Sequence, residues 1–319
     1  VGLGRRHLAE TSRRLRLDEK QAAAALGQVE LANGYREVFA RAQMPVAQVL
    51  LTFYDTENRR RYLNARRTIF SLLAAGAVPV VNENDTVATE ELRYGDNDRL
   101  AARVAQMIDA RLLVLLSDVD GLYTANPSQD PAAEHVADVP VITDDIARMA
   151  GGAGSSVGTG GMHTKILAAR IAVGAGCGVV VADGRVNGPI SAVRDGARHT
   201  WFAPSGTPGS ARKRWIAGSL EPRGTLHVDA GARDALLGGR SLLCVGVQSV
   251  SGQFDRGDAV RVACGDDTLG VGLCAYDHAD AARLAGASGG DVEARLGYPA
   301  RPEMIHRDDL VLHATEACA

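Results

Sequence analysis

The chain has 319 residues, enough for two domains, and its 46% hydrophobic content suits well-formed globular cores. No run approaches the roughly eighteen apolar residues of a membrane-spanning helix, and a formal charge of −3 with a pI near 6.3 gives no global signature of a nucleic-acid binder. Five cysteines (Cys177, Cys244, Cys264, Cys274 and Cys318) show no CxxC spacing and no even-numbered framework, which fits a reducing cytoplasm better than a disulfide-stapled secreted fold.

In chain order, "VGLGRRHLAE" opens without an initiator methionine or a secretory signal, so an incomplete N-terminus is expected. Val1–Arg67 carries 13 basic against 7 acidic residues, an excess read as a solvated helix face before nucleic-acid binding. Apolar residues at Ala23, Leu26, Val29 and Tyr35 predict an amphipathic helix over Glu19–Ala42. "VAQVLLT" (Val46–Thr52) reads as a buried strand, "ENRRRYLNARRTIFSLLAAG" as a helix ending at Gly76, and "AVPVVN" as a second strand. A helix is expected over Asp98–Asp109, then "RLLVLLSDVDGLY", the most apolar strand, running into a turn. "MHTKILAARIAVGAG" reads as a helix and "GVVVADG" as a strand. Near-continuous apolar strands alternating with helices predict an α/β fold with a parallel sheet covered on both faces. Ligands in such sheets bind beyond the carboxyl ends of the strands, where "NENDT", "SDVDG" and "ADG" sit.

"WFAPSGTPGSARKRW" is rich in Pro and Gly and reads as a linker. The short runs "GTLHVD", "SLLCVGV", "DAVRVAC" and "TLGVGLCAY" then predict a small β-rich domain, with a short helix in "DAGARDALLGG" capped by Asp229.

Three places carry chemistry. "SVGTGGMHTK" (Ser156–Lys165) has neither G-x-x-x-x-G-K-[ST] nor G-x-G-x-x-G, so it is neither a Walker A loop nor a dinucleotide fingerprint. Its glycines would let backbone N–H groups approach an anion at a helix start, with Lys165 in the first turn; a mobile loop fits the same residues. Only three of 35 basic residues are lysine (Lys20, Lys165 and Lys213), so a lysine beside the glycines runs against the chain's bias toward arginine. His163 has no nearby nucleophile and reads as a loop residue rather than a base. "NENDT" (Asn82–Thr86) and "GDND" (Gly95–Asp98) mix carboxylates and amides, suited to an ammonium-bearing substrate, to Mg²⁺ held through water, or to a solvated acidic loop. They hold no His or Cys, so no zinc site is expected, and no protein-held metal site is assigned. Ser117 and Asp118 close a strand and fit either a functional pair or simple turn chemistry before the "DG" turn.

Together "PVVNENDTVATEELRYGDND", "LLVLLSDVDGLYTANP" and "GTGGMHTKILAARIA" resemble glutamate 5-kinase, the gamma-glutamyl kinase of the amino acid kinase fold. "QFDRGDAVRVA" and "LGYPARPEMIHRDDLVL" resemble its C-terminal PUA domain. The resemblance implies an amino acid kinase-like three-layer sandwich with a mostly parallel sheet over 1–205, a linker at 206–221 and a PUA-like domain at 222–319. It implies ATP-dependent phosphorylation of the L-glutamate side chain, the first step of proline biosynthesis, in the cytoplasm, with ATP as co-substrate and Mg²⁺. Asp85 and Asn97 would bind glutamate. Ser117, Asp118 and the loop residues Thr159, Gly160, Gly161, Met162, His163, Thr164 and Lys165 would bind ATP. Lys165 would contact phosphate and Asp98 would orient the catalytic lysines.

The resemblance further implies a homo-oligomer through the kinase domain, hand-off to glutamyl phosphate reductase, RNA contact by the PUA domain, and no membrane. The family opens with a strand, a Gly-rich loop bearing another lysine, and a strand ending Ser-Gly-Ala, directly before the position of "VGLG". The chain as written is therefore expected to be inactive and to fold poorly in its first half. The other readings are a PUA-containing RNA-binding protein and a non-catalytic kinase remnant.

Overall fold

A computed structural model describes residues 2–7, 15–87, 97–151, 161–219 and 221–313. The chain divides into two compact units, Val1–Pro208 and Gly209–Ala319. Among the described residues no helix is long and apolar enough to cross a membrane.

The first unit begins with helices α1 (Gly2–Arg5) and α2 (Leu17–Ala40). Glu19 accepts the Arg16 backbone N–H at 2.9 Å and so occupies a donor at the start of α2. The helix lies within two residues of its expected bounds, but its buried face is different. Ala23, Ala24 and Gly27 are buried, whereas Leu26, Val29 and Tyr35 are exposed. The reason is close approach: Gly4 of α1 lies so near the backbone of Ala23 and Gly27 that a Cβ there would clash. Only small side chains fit between the two helices.

Strand β1 (Val46–Leu51) leads through Thr52 into α3 (Phe53–Glu57) and α4 (Arg59–Ala74); β2 (Val78–Glu83) then pairs parallel with β1. Thr52 caps α3, and the buried Asp55 accepts its N–H and hydroxyl, each at 2.6 Å, while ion-pairing with Arg61 at 2.5 Å. These bonds hold the Asp55 carboxyl below its ordinary range against the opposing effect of burial. Helix α5 (Asn97–Met107) starts one residue before its expected position. Beyond it Asp109 turns the chain in the left-handed region, at φ 53°, which Asp tolerates better than most residues.

Next come β3 (Leu112–Ser117), β4 (Leu122–Tyr123), β5 (His135–Val136), β6 (Asp138–Val139), α6 (Asp144–Met149), α7 (Met162–Gly174), β7 (Gly178–Asp183), α8 (Pro189–Arg194) and β8 (His199–Phe202). The four-stranded sheet has the order β3-β7-β8-β6, parallel except between β7 and β8. Helix α7 buries Ile166, Ala168, Ala169 and Ala172 in a core shared with Leu115, Val179 and Phe202. Small residues on α7 let α5 pack close, through Ala102 and Ala105. That packing positions the site.

The second unit holds α9 (Pro208–Ser219), β9 (Gly224–Val228), α10 (Ala230–Leu237), β10 (Leu242–Leu243), β11 (Val247–Gly252), β12 (Ala259–Cys264), β13 (Asp267–Leu273), α11 (His278–Leu284), α12 (Asp291–Leu296), β14 (Glu303–Ile305) and β15 (Leu310–Leu312). A sheet of order β11-β9-β12-β13-β15 packs a core around Leu226, Val260, Leu284, Met304 and Ile305. Burying each such side chain contributes about 1.5–3 kcal/mol. Asp229 caps α10 as expected, accepting the Ala232 N–H at 2.6 Å. "SLLCVGV" is not one strand: a 3-10 turn at Cys244–Gly246 divides β10 from β11. The stretch read as a linker contains the twelve-residue α9, whose Ile216 is fully buried against Ala259 and Leu273.

Candidate active site at the strand ends and the start of helix seven

Helix α7 begins at Met162, with Gly161 in extended backbone as its cap. The first N–H groups of a helix have no acceptor within it and carry the positive end of its dipole. Lys165 sits in this first turn and is only 6% exposed. An ammonium so enclosed needs a counter-charge, and Asp98 in the first turn of α5 supplies it, with Lys165 Nζ 3.0 Å from Asp98 Oδ2. The Thr164 hydroxyl lies 3.0 Å from the same oxygen and 2.8 Å from the Gly161 carbonyl, which share its one proton. The residues Asp98, Thr164 and Lys165, distant in sequence, thus form one hydrogen-bonded group. His163 is not in a loop: it is the second residue of α7, exposed, because the helix starts before it. Met162 is half-buried at the helix start; Thr159 and Gly160 lie outside the described residues.

Ser117 ends β3, and its hydroxyl donates to Asp118 at 3.0 Å. In the parallel register Ser117 stands opposite Asp183, the last residue of β7. Gly184 then donates its N–H to the Ser117 carbonyl at 2.7 Å. A Cβ at Gly184 would lie 2.9 Å from that of Leu116, so the close approach of the two strand ends requires glycine. Asp85 lies in the turn after β2, half-buried. That turn is tied down by Asn84 N–H to the Leu51 carbonyl at 2.8 Å and by Thr86 to Asn84 Oδ1 at 2.5 Å. Asn97 is the exposed first residue of α5 and, among the described residues, the one polar side chain lining an otherwise apolar cavity of about 360 Å³ between β2, α5 and β3. No group of three or more His, Cys, Asp or Glu among the described residues is arranged to hold a metal ion.

Sequence reasoning placed "SDVDG" and "ADG" at these strand ends but missed the arginines that pair with their carboxylates. Arg185 folds back on Asp183, with Nε 2.9 Å and an amino nitrogen 2.7 Å from the two carboxylate oxygens. Asp120 accepts from the Tyr123 hydroxyl at 3.0 Å and lies 3.6 Å from Arg198. The available signal was the spacing Asp-Gly-Arg at a strand end, where an Asx turn brings residue i+2 back to the carboxylate.

Gly121 makes the turn between these groups, at φ 153°. A Cβ there would come within 2.6 Å of both Thr200 Oγ1 and His135 Nε2. Thr200 is fully buried, accepts the Leu122 N–H at 2.7 Å and donates to the Val136 carbonyl at 2.6 Å. Gly121→Ala is therefore expected to destabilise the protein by about 2 kcal/mol, through strain and a displaced buried hydrogen bond. Thermal unfolding measures this; an unchanged midpoint would show that the turn relaxes freely.

Comparison with known proteins places these elements in context. The amino acid kinase family matches residues 2–183, and the PUA domain family matches residues 224–296. The chain is 55% identical over 315 residues to the glutamate 5-kinase of Rhizobium leguminosarum bv. trifolii (strain WSM2304), covering 98% of this chain and 81% of that protein. It is 56% identical over 313 residues to the glutamate 5-kinase of Rhodospirillum rubrum, covering 98% of this chain and 84% of that protein.

Proposed function

Because the chain belongs to the glutamate 5-kinase family, an amino acid kinase domain followed by a PUA domain, we infer that it phosphorylates the side-chain carboxylate of L-glutamate with ATP, the first step of proline biosynthesis. ATP is the co-substrate. The observation that best supports the site reading is the enclosed Lys165 ammonium held 3.0 Å from Asp98 at the start of α7.

The chemistry needs no base. A glutamate side chain has an ordinary pKa of about 4.3, so it is already an ionised nucleophile at neutral pH. One carboxylate oxygen bonds to the γ-phosphorus as the bond to the β-phosphate oxygen breaks. ADP leaves, the product is an acyl phosphate, and no proton moves. The obstacle is bringing an anion up to an anionic triphosphate. Positioning and electrostatic stabilisation overcome it, as in phosphoryl transfer generally. In our reading Lys165 and the first N–H groups of α7 receive the transferring phosphoryl charge. Asp98 and Thr164 fix where the ammonium points. Ser117 and Asp118 hold the nucleotide, together with Gly161, Met162 and His163 at the start of α7 and with Thr159 and Gly160 before them in sequence. When bound with the triphosphate, Mg²⁺ would neutralise part of its charge.

Asp85 and Asn97 are proposed to read the amino acid's ammonium and carboxylate groups. Asp85→Ala and Asn97→Ala are expected to raise the KM for glutamate by about tenfold or more, the loss of one charge-assisted hydrogen bond, with the KM for ATP within about twofold. Steady-state kinetics varying each substrate check this. An equal rise for both would show that these residues organise the whole site instead.

We also propose the division 1–205, 206–221 and 222–319 into kinase domain, connector and PUA-like domain. Exposed Leu26, Val29, Tyr35 and Val38 on α2 support a homo-oligomer formed through the kinase domain. Lys213, Arg240 and Arg307 around one cavity of about 290 Å³ support RNA contact by the PUA-like domain. The lability of an acyl phosphate favours direct hand-off to glutamyl phosphate reductase, and four free thiols among the described residues fit a cytoplasmic setting.

A further inference from the structure

The Asp183–Arg185 pair is unused by the mechanism above, yet it adjoins the Ser117–Asp118 pair. The Arg185 backbone N–H donates to Asp183 Oδ1 at 2.8 Å, closing an Asx turn, and the guanidinium spans both carboxylate oxygens. This bidentate grip fixes the plane of the guanidinium although the side chain is 68% exposed. It also holds the Asp183 carboxyl down at about 2, so the pair stays charged throughout the neutral range. Asp118 and Asp120 act on the same guanidinium and favour its charged form further. A fixed, largely exposed planar cation therefore stands at the carboxyl ends of β3 and β7, next to acidic acceptors.

The charge balance indicates which part of a nucleotide would fit. Asp118, Asp120 and Asp183 outnumber Arg185 and Arg198, so the patch is net acidic and repels a triphosphate. The ammonium suited to phosphates is Lys165, on α7. Carboxylates suit ribose hydroxyls, which donate, and a guanidinium plane stacks on a heteroaromatic base. We propose that Arg185, oriented by Asp183, contacts the nucleoside half of ATP, its plane against the base, with Asp118 and Asp120 accepting from the ribose. The proposal rests on the reading of Ser117–Asp118 as part of the nucleotide site and adds a residue to it.

The test uses the purified protein with adenosine as a competitive inhibitor against ATP, alongside steady-state kinetics. Arg185→Ala is expected to raise both the KM for ATP and the Ki of adenosine by about tenfold, with the KM for glutamate and kcat changed less than about threefold. Arg185→Lys should not restore either value, because an ammonium offers neither the plane nor the fork. Asp183→Asn should shift both constants in the same direction by a smaller factor, and adding it to Arg185→Ala should change nothing more, since Asp183 acts through Arg185. A Ki for adenosine within about twofold of the native value in Arg185→Ala overturns the proposal, whether or not ATP binding changes. Lys165→Ala tests the underlying reading separately: near-native turnover in that variant removes the phosphate site whatever the adenosine result.

Discussion

Lys165→Ala is expected to lower kcat for glutamate phosphorylation by on the order of a hundredfold or more while leaving the fold intact. The side chain is the one lysine beside the glycine stretch, 6% exposed, and placed at the positive end of α7. A fixed ammonium in an enclosed site stabilises developing charge far more than one in water, and removing a single such group typically costs about two to three orders of magnitude in rate. The fold should survive because Asp98 is not orphaned by the change. Its side chain is 19% exposed and still receives the Thr164 hydroxyl at 3.0 Å. Lys165→Arg should not rescue the rate, since a bulkier planar fork cannot occupy the enclosed space of a compact ammonium. Glutamate-dependent ADP release, with hydroxylamine trapping of the acyl phosphate, measures the loss. Turnover within about threefold of native, in a variant with a native unfolding midpoint, would remove Lys165 from the phosphoryl-transfer site.

Lys165 was legible in the sequence because composition singled it out: a lysine retained in an arginine-rich chain, next to glycines, before a helical pattern. The main strands were legible for another reason. Unbroken apolar runs such as "LLVLL" and "GVVVA" stand out without any knowledge of their partners; β7 is buried along its apolar run as such a run predicts, whereas Leu112 and Leu116 of β3 are exposed. Helix α2 shows the limit of periodicity. Its large apolar residues mark a stripe, but the face buried within this chain is the one whose alanines and glycine admit α1, and that depends on a neighbour that periodicity does not name. The break in "SLLCVGV" was hidden because a 3-10 turn of buried Cys and Gly is as apolar as a strand. At the site, the Asp98–Lys165 pair spans 67 positions and depends on α5 packing against α7. Local spacing cannot reveal such a contact; the resemblance to a family pointed to it. Arg185 stayed unseen because in this chain one more arginine after a strand carries almost no information.

Asp98→Ala is expected to be the more damaging change for the protein as a whole, because it strands a buried charge. With the carboxylate gone, the Lys165 ammonium keeps its burial and loses its counter-ion. Breaking a buried pair from one side costs about 3–5 kcal/mol, and because the stranded Lys165 side chain is only 8% exposed a loss in that range is expected here. Activity should also fall by on the order of a hundredfold, because the ammonium is no longer held in place. Asp98→Asn separates the two roles. An amide oxygen still accepts from Thr164 and Lys165 but supplies no charge, so stability should fall less than in Asp98→Ala. Its residual activity should exceed that of Asp98→Ala, because the amide oxygen still fixes where the ammonium points. The double change Lys165→Met with Asp98→Asn completes the test. A buried ion pair replaced by uncharged groups of similar volume is often neutral for stability, so this variant should unfold near the native midpoint and remain inactive. Thermal unfolding and steady-state kinetics on all three variants decide the matter. A double variant as unstable as Asp98→Ala would show that the loss came from disturbed packing between α5 and α7 rather than from an unpaired charge.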